Sequence, residues 1–309
     1  MIMVCGEALI DLVRADGDLW RALPGGSPTN TAVALARLSS PTAMLARLSS
    51  DAFGASLRQR FADNGVDLTY VVDADEPTTL AVVDIDGSGS ARYTFHLHGT
   101  ADWQWTPAEL PASLSRDVTA IHAGSMALAH RSGGGVIEAF LACEKAHRII
   151  SIDPNVRTVM CPDRDEYRRM VERWLAIAHV VKASADDVSW LYPDRSADDV
   201  LAEWSRRGPL LVTLTLGGDG AIAVTAAGDV VRVPGVTVDV VDTIGAGDTF
   251  SAGLLHALDV RGYLDVEKLG RIDETELASV LRFAVGVSAI ACTRAGADPP
   301  FAHELDTAG

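Results

Sequence analysis

A glycine-rich run that ends in a carboxylate is the segment of this sequence best suited to chemistry. It is Asp242-Thr-Ile-Gly-Ala-Gly-Asp248, and it lies between a Val- and Thr-rich stretch, 235–241, and good helix formers, 250–259. The pattern predicts a turn from a strand into a helix. A helix N-terminus offers unpaired N–H groups and a partial positive charge, which suit a phosphate, and glycines let a ligand approach closely.

Asp248 adds negative charge where an anion is expected to bind, and two interpretations of it are open. Asp is a favoured helix N-cap residue, which would make its role structural. A carboxylate beside a phosphate site could also accept the proton of a hydroxyl that attacks a phosphoryl group. The run is neither a Walker A loop nor a dinucleotide fingerprint, because no Gly-Lys-Ser/Thr follows it and Phe250 stands where a third glycine would be.

Polar residues that could bind a hydroxylated ligand occur near three other turns. They are Asp11, Gly26 with Asn30, and Asn155 with Arg157. In open α/β sheets ligands bind beyond the carboxyl ends of the strands, so these residues could meet in one cleft. Carboxylates and amides can bind hydroxyl groups, and a guanidinium can pair with a phosphoryl oxygen. Each also has a structural interpretation: a solvated loop Asp, a glycine turn capped by Ser27 or Thr29, and a turn with a surface Arg.

Short apolar runs alternate with helical patterns, which predicts a parallel sheet covered by helices on both faces. The predicted strands are 2–6, 43–47, 120–124, 149–153, 180–182 and 211–216. Residues 66–98 break this rhythm, because strand-like runs at 79–85 and 91–97 flank an Asp86-Gly turn typical of an antiparallel hairpin. Together with residues 12–23 they predict a small separate sheet.

Composition and charge limit the classes of protein to which this chain could belong. The 309 residues, 48% of them hydrophobic, suffice for one large domain or for one domain with a smaller appendage. A net charge of −16 disfavours a surface for nucleic acid or anionic membranes. No apolar run approaches membrane-spanning length, the first residues are unlike a signal peptide, and the four cysteines form no C-x-x-C pair. These features predict a cytoplasmic protein with no nucleic-acid or membrane partner.

Two motifs carry a resemblance to a known family. The 242–248 run resembles the C-terminal signature of the ribokinase-like (PfkB) carbohydrate kinases, and Gly25-Gly-Ser-Pro-Thr-Asn30 resembles their N-terminal Gly-Gly-x-x-x-Asn signature. The resemblance covers nearly the whole chain and is strongest to bacterial fructokinases. It implies one ribokinase-like α/β domain over 1–309: a three-layer α/β/α sandwich with a mostly parallel central sheet and a small β-sheet lid at about 12–24 and 67–100. It also implies a homodimer formed through the lid.

The resemblance further implies an ATP-dependent sugar kinase that uses Mg²⁺ and acts on D-fructose at its 6-hydroxyl. Asp248 would be the base, and the N–H groups of Gly245, Ala246 and Gly247 would hold the charge that develops on the phosphoryl group. The sugar contacts carried over are Asp11, Gly26, Asn30, Phe95, Asn155 and Arg157. The nucleotide contacts carried over are Ser184, Thr215, Gly217, Gly220 and Gly247.

The metal sites rest on weaker matches. The family's Asn-x-x-Glu motif, tied to magnesium and phosphate, aligns with Ser184-x-x-Asp187, and both positions depart from it. Asp187 keeps a carboxylate that could hold Mg²⁺ through waters, while a capped helix start explains the same residues equally well. In relatives that use K⁺, backbone carbonyls of the loops matching Asp242 and 292–297 hold the ion, which implies a monovalent cation site here.

Two alternative functions are open. The acceptor could be 2-keto-3-deoxygluconate, another ketose or a nucleoside. Kinases of 2-keto-3-deoxygluconate place Tyr-Tyr-Arg where this chain has Phe95-His-Leu97, and the loss of that arginine favours a neutral sugar. Ser27 stands where ribokinases tend to carry lysine, which favours fructose over ribose. The alternative of another class is a non-catalytic sugar-binding regulator, from which a lost base or broken glycine run is expected; neither is lost here.

Overall fold

The computed structural model describes residues 1–15, 18–85 and 91–305. Its strands are β1 (Ile2–Cys5), β2 (Leu9–Arg14), β3 (Trp20–Gly25), β4 (Thr42–Leu45), β5 (Arg47–Ser49), β6 (Val72–Ala74), β7 (Leu80–Ile85), β8 (Ala91–His96), β9 (Ala120–Gly124), β10 (Ile149–Asp153), β11 (Val180–Ser184), β12 (Leu211–Thr215), β13 (Ala221–Thr225) and β14 (Val230–Val233). Its α-helices are α1 (Ser27–Arg37), α2 (Ala52–Asp63), α3 (Ser125–Ala129), α4 (Gly134–Glu144), α5 (Arg164–Ile177), α6 (Ala185–Leu191), α7 (Ala197–Trp204), α8 (Ala246–Val260), α9 (Val266–Leu269), α10 (Glu274–Ala291) and α11 (Ala302–Leu305).

The centre of the molecule is an eight-stranded sheet in the order β14-β13-β12-β11-β10-β9-β1-β4. Six neighbouring strands of this sheet are parallel, namely β12, β11, β10, β9, β1 and β4. The strands β13 and β14 join the β12 edge in antiparallel pairs. One hydrophobic core cluster packs α1, α2, α8 and α10 on one face, and a second packs α3 to α7 on the other. The predicted three-layer α/β/α architecture with a mostly parallel sheet is confirmed. Its central strands are mostly apolar because both of their faces are buried.

A four-stranded sheet, in the order β3-β2-β7-β8, forms the predicted small sheet, and we call it the lid. The boundaries differ from the prediction, since the first lid strand begins at Leu9 and residues 67–79 are outside the lid sheet. Within that stretch, β6 pairs with β5 in a separate two-stranded sheet. The strands β7 and β8 pair antiparallel as predicted, whereas the Asp86-Gly turn lies outside the described residues.

Several predicted boundaries agree with the structure and others are wrong. The strands at 120–124 and 149–153 are found as predicted. No strand forms at 235–241, since the sheet edge ends with β14 and this segment runs exposed beside it; Val240 and Val241 are each more than 60% exposed. The helix predicted at 250–259 begins earlier, at Ala246, and α1 begins at Ser27 after the N-cap Gly26. Within the described ranges, none of the helices is both long and apolar enough to cross a bilayer.

Candidate functional site

A cleft of about 650 Å³ is lined by residues of the lid and of loops at the carboxyl edge of the central sheet. Most of the predicted sugar and phosphate contacts meet in it, namely Asp11, Gly26, Asn30, Phe95, Asn155, Arg157, Gly245, Gly247 and Asp248. These residues come from five separate parts of the chain. The expectation that ligand-binding residues converge beyond the strand ends therefore holds for this group.

Asp248 lies in the first turn of α8, with its carboxylate held at the wall of the cleft. Its Oδ1 accepts a hydrogen bond of 2.6 Å from the Ser27 hydroxyl, and its Oδ2 accepts one of 2.8 Å from the Asn30 amide. The residue is only 7% exposed. The N-cap of α8 is Gly245, so the interpretation of Asp248 as an N-cap is wrong. Both donors come from the first turn of α1, so this helix fixes the direction of the carboxylate.

The N-terminus of α8 presents open N–H groups beside that carboxylate. Gly245 has a φ of 74°, and a Cβ built there would lie 2.9 Å from the Cβ of Ala297, so glycine is required on both counts. The Ala246 N–H donates to the Thr243 carbonyl at 3.2 Å. Within the described chain no protein acceptor is found for the N–H groups of Gly245 and Gly247, both of which line the cleft. Two of the three predicted amides are thus available to an anion.

The Asp242 side chain joins two loops behind this helix start. Its Oδ1 accepts from the Ile244 N–H at 3.0 Å, and its Oδ2 accepts from the Gly296 N–H at 2.8 Å. The Cys292 carbonyl also accepts from the N–H groups of Val241 and Asp242. Both carboxylate oxygens are thus engaged in shaping the loops, and a monovalent cation at this place stays a prediction.

Asp11 marks the lid side of the cleft. A Cβ built on Gly25 would lie 2.1 Å from its carboxylate, so a glycine at 25 leaves the space that Asp11 occupies. Burial first and the charge of Asp248 second raise the pKa of Asp11, Arg157 opposes both effects, and the resulting pKa is about 6. The Asp11 carboxylate is therefore ionised at neutral pH and available to accept hydrogen bonds.

The other predicted sugar contacts differ in whether their polar groups already make hydrogen bonds within the protein. Phe95 stacks on Tyr93 with ring centroids 5.9 Å apart, and both rings line the cleft. Arg157 is exposed, and its guanidinium donates to backbone carbonyls of its own loop. The Asn155 side chain donates to the Ser27 hydroxyl at 2.8 Å, so it supports the donor that holds Asp248. Direct contact of Asn155 with a sugar stays a prediction.

The predicted nucleotide contacts, apart from Gly247, lie outside the cleft lining. They are Ser184 at the end of β11, Thr215 at the end of β12, and Gly217 and Gly220 in the turn that follows. Since β11 and β12 continue the sheet beyond β10, these residues extend the same carboxyl edge away from the lid. A ligand longer than a sugar could run along this edge.

Asp187 takes part in the cap at the start of α6, which was one of its two interpretations. Its Oδ2 accepts from the Ser184 N–H at 2.9 Å and from the Ser184 hydroxyl at 2.7 Å, while Oδ1 accepts from the Val156 N–H at 2.8 Å. In the part of the chain that the structure describes, no three His, Cys, Asp or Glu side chains cluster as metal ligands would. The side chains present thus offer Mg²⁺ no ready ligand set, and its site stays a prediction.

Sequence reasoning missed several residues of the cleft. They are Glu7, Ser27 as a donor to Asp248, Tyr93, Ser125, Met126 and Lys182. The available signal was a charged residue inside an apolar segment, which Glu7 and Lys182 both show. Glu7 is fully buried: its Oε2 accepts from the Ala127 N–H at 3.0 Å, and no hydrogen-bond partner for its Oε1 is found among the described residues. Burial raises the pKa of Glu7 to about 7, and that of the equally buried Asp102 to about 7.

These raised pKa values predict a loss of stability as pH rises. Both groups ionise at about pH 4 in an unfolded chain, whereas the fold holds them neutral up to about pH 7. Their stabilising effect is complete below pH 4 and lost above pH 7. For Glu7 the change is on the order of 3 kcal/mol. Urea unfolding at pH 5 and pH 8 should show a smaller loss in Glu7→Gln than in the unmodified chain.

The matched control is Glu274→Gln, which removes an exposed carboxylate at the start of α10. It should keep the pH dependence of the unmodified chain. An equal loss of stability between the two pH values in Glu7→Gln and in the unmodified chain would show that Glu7 is ionised in the fold.

The chain is similar to known proteins over most of its length. The model of the pfkB family of carbohydrate kinases matches residues 1–304. A fructokinase from Rhizobium leguminosarum bv. trifolii is 37% identical over 281 residues, which cover 90% of this chain and 85% of that protein. An aminoimidazole riboside kinase from Salmonella typhimurium is 32% identical over 310 residues, which cover 99% and 94% of the two chains.

Solved structures show the same fold. A fructokinase from Xylella fastidiosa with bound ATP superposes with a TM-score of 0.90 at 28% identity, covering 99% of this chain and 97% of that one. A fructokinase double mutant from Vibrio cholerae, bound to fructose, ADP and a potassium ion, gives a TM-score of 0.86 at 29% identity and covers 99% and 97% of the chains. The ribokinase-like fold is therefore confirmed.

Proposed function

The chain belongs to the pfkB family of carbohydrate kinases, and from that premise we propose that it transfers the γ-phosphoryl group of ATP to the 6-hydroxyl of D-fructose. The observation that carries the proposal is the position of Asp248. Its carboxylate is fixed by Ser27 and Asn30 at the cleft wall, one residue after the open N–H of Gly247. A general base therefore lies next to N–H groups that can bind an anion, as phosphoryl transfer to a hydroxyl requires.

In this mechanism Asp248 accepts the proton of the attacking hydroxyl. Ser27 and Asn30 keep its oxygens aimed, and the open N–H groups of Gly245 and Gly247 stabilise charge on the moving phosphoryl group. ATP, when bound, supplies that group. The protein forms no covalent bond to it, so its contribution is position and electrostatics. Asp11, Gly26 and Asn30 would orient the sugar hydroxyls, with Arg157 at the opening.

Charge in the cleft supports a neutral acceptor. The sugar side carries the carboxylates of Asp11 and Asp248, and Arg157 is a cation near Asp11. An acid sugar would bring a further negative charge against the two carboxylates. A nucleoside is a second candidate, because the stacked rings of Tyr93 and Phe95 could hold a flat base, and a 32% identical relative is named aminoimidazole riboside kinase.

For the nucleotide and the metal ions the proposal is more general. The adenosine part of ATP would lie along the sheet edge at Ser184, Thr215, Gly217 and Gly220. Magnesium would have to be held chiefly by nucleotide oxygens and waters, since the Asp187 oxygens already accept hydrogen bonds. A potassium ion beside the Asp242 loop is proposed by analogy with the Vibrio cholerae structure named above.

A panel of acceptors tests the choice of sugar. With ATP and Mg²⁺, ADP release should be fastest with D-fructose, and kcat/KM should be about 100-fold lower for 2-keto-3-deoxygluconate and for a nucleoside. A preference for the nucleoside would replace fructose with the second candidate. ADP release with none of the acceptors would contradict the catalytic function and favour a sugar-binding regulator.

Replacing the proposed base tests the mechanism. Asp248→Asn keeps the shape of the side chain but cannot accept the proton, so kcat should fall about 10³-fold or more while the Kd for the sugar changes little. Ser27→Ala, which removes the hydrogen bond to Oδ1 and the acceptor of the Asn155 amide but keeps the carboxylate, is the matched control and should cost about 10-fold in kcat. Steady-state kinetics and calorimetric sugar binding give both quantities. Near-normal turnover in Asp248→Asn would eliminate Asp248 as the base.

We further propose that two copies associate through the lid. The strands β2 and β7 carry Leu12, Leu80 and Val82 on the face of the lid turned away from the cleft, and all three side chains are only partly buried. On the same face Trp20 is 41% exposed. An apolar face of this kind suits a symmetric contact between identical surfaces.

Light scattering at micromolar concentration tests this association. The unmodified chain should have twice the monomer mass, and Trp20→Glu should shift it towards the monomer, because a charge would be buried in the contact. Val260→Glu places the same charge on an exposed apolar residue at the end of α8, far from the lid in sequence, and should leave the mass unchanged. A monomeric unmodified chain would refute the dimer.

A further inference from the structure

Lys182 is a buried cation in the cleft that the proposed mechanism has not used. It lies on β11, its side chain is 5% exposed, and it lines the cleft together with Gly247 and Asp248. A Cβ built on Gly247 would lie 2.9 Å from its Nζ. The ammonium therefore stands in the space that the absent side chain of Gly247 leaves free, at the start of α8.

A buried carboxylate holds this ammonium in place. Nζ donates to Asp153 Oδ2 at 2.8 Å, and Asp153 Oδ1 accepts from the Asn155 N–H at 3.0 Å. Burial alone would lower the pKa of Lys182, but the charges of Asp153, Asp187 and Asp248 outweigh burial and raise it. Lys182 is therefore protonated throughout the range in which the enzyme would work.

The ammonium keeps donors for a ligand. Among the described residues Asp153 supplies the one acceptor found for Nζ, whereas an ammonium has three N–H groups. The remaining two are open beside the N–H of Gly247. A buried ion pair that served stability alone would be no better than a well-packed apolar pair, so stability is a weak reason for it.

We propose that Lys182 is a further catalytic residue of the phosphoryl transfer proposed above, donating to an oxygen of the γ-phosphoryl group as it moves. In that step the sugar oxygen forms a bond to phosphorus while the bond from phosphorus to the β–γ bridging oxygen breaks. The hydroxyl proton goes to Asp248, and ADP leaves with the electron pair. Lys182 keeps its protons throughout, and its charge offsets the charge on the phosphoryl oxygens, which is strongest in a water-poor site.

Two variants separate this role from a structural one. Lys182→Met removes the cation but leaves Asp153 buried without its partner, which is expected to lower stability as well as activity. Lys182→Met/Asp153→Asn removes both charges, and the asparagine oxygen can still accept from the Asn155 N–H. In the double variant the melting temperature should return to within a few degrees of the unmodified protein, while kcat with ATP and fructose should stay about 100-fold low. KM for the sugar should change less than about threefold.

A control and a binding measurement complete the test. Arg47 is another buried cation, bonded to Glu76 and Glu109 beneath the lid, so Arg47→Met should lower the melting temperature and leave kcat unchanged. Calorimetry with ADP, aluminium fluoride and fructose measures affinity for a mimic of the transferred group. That affinity should fall about 100-fold in the double variant, with binding of fructose alone unaltered.

Recovery of kcat to within about threefold in the double variant would overturn the role of Lys182 and leave a structural ion pair. Because this inference rests on the proposed function, the unmodified protein is assayed first. If it releases no ADP with any acceptor, the proposed function and the role of Lys182 both fall. If it is active and the double variant is equally active, only the role of Lys182 falls.

Discussion

Two hydrogen bonds to one buried carboxylate determine how the halves of the cleft meet. Asp248 belongs to α8 and its donors, Ser27 and Asn30, belong to α1, more than 200 residues earlier in the chain. A buried carboxylate without donors would be costly, so the fold depends on these bonds as the chemistry does. They set the first turn of one helix against that of the other. The phosphate side of the cleft is thereby fixed relative to the sugar side.

The distribution of charge follows from the same constraint. Three acidic side chains are buried in or near the cleft, and the cost of burying each is offset differently. Asp248 accepts hydrogen bonds and Asp153 pairs with the ammonium of Lys182. Burial raises the pKa of Glu7, which favours its neutral form. Positive potential is left at the start of α8 and at Lys182. A neutral, hydroxyl-rich molecule suits the carboxylate side, and an anion suits the other side. With a net charge of −16, the chain must attract a nucleotide through such local features.

Much of this was predictable from the sequence, for identifiable physical reasons. Parallel strands that are buried on both faces are mostly apolar, so 120–124 and 149–153 could be found as they stand. The resemblance of the whole 242–248 run to a family signature marked Gly245 and Asp248. The prediction of a strand at 235–241 was wrong because a Val- and Thr-rich composition does not show whether a neighbouring strand exists for it to pair with. Residues 27–30 look like a turn in isolation, and only the packing of α1 against α8 makes them helical and turns their side chains to Asp248.

Contacts between strands explain why the pairing of Asp153 with Lys182 could not be predicted from the sequence. Asp153 and Lys182 are 29 residues apart, and no local pattern pairs them. The register of β10 and β11 places Ile152 beside Val181, so the next position on each strand brings the carboxylate and the ammonium together. That position is also where β10 ends, at Asp153, directly under the first turn of α8. An ion pair in the middle of a sheet would belong to the core. An ion pair at the carboxyl edge, beside an open helix N-terminus, belongs to the site, and it is the order of the strands that puts it there.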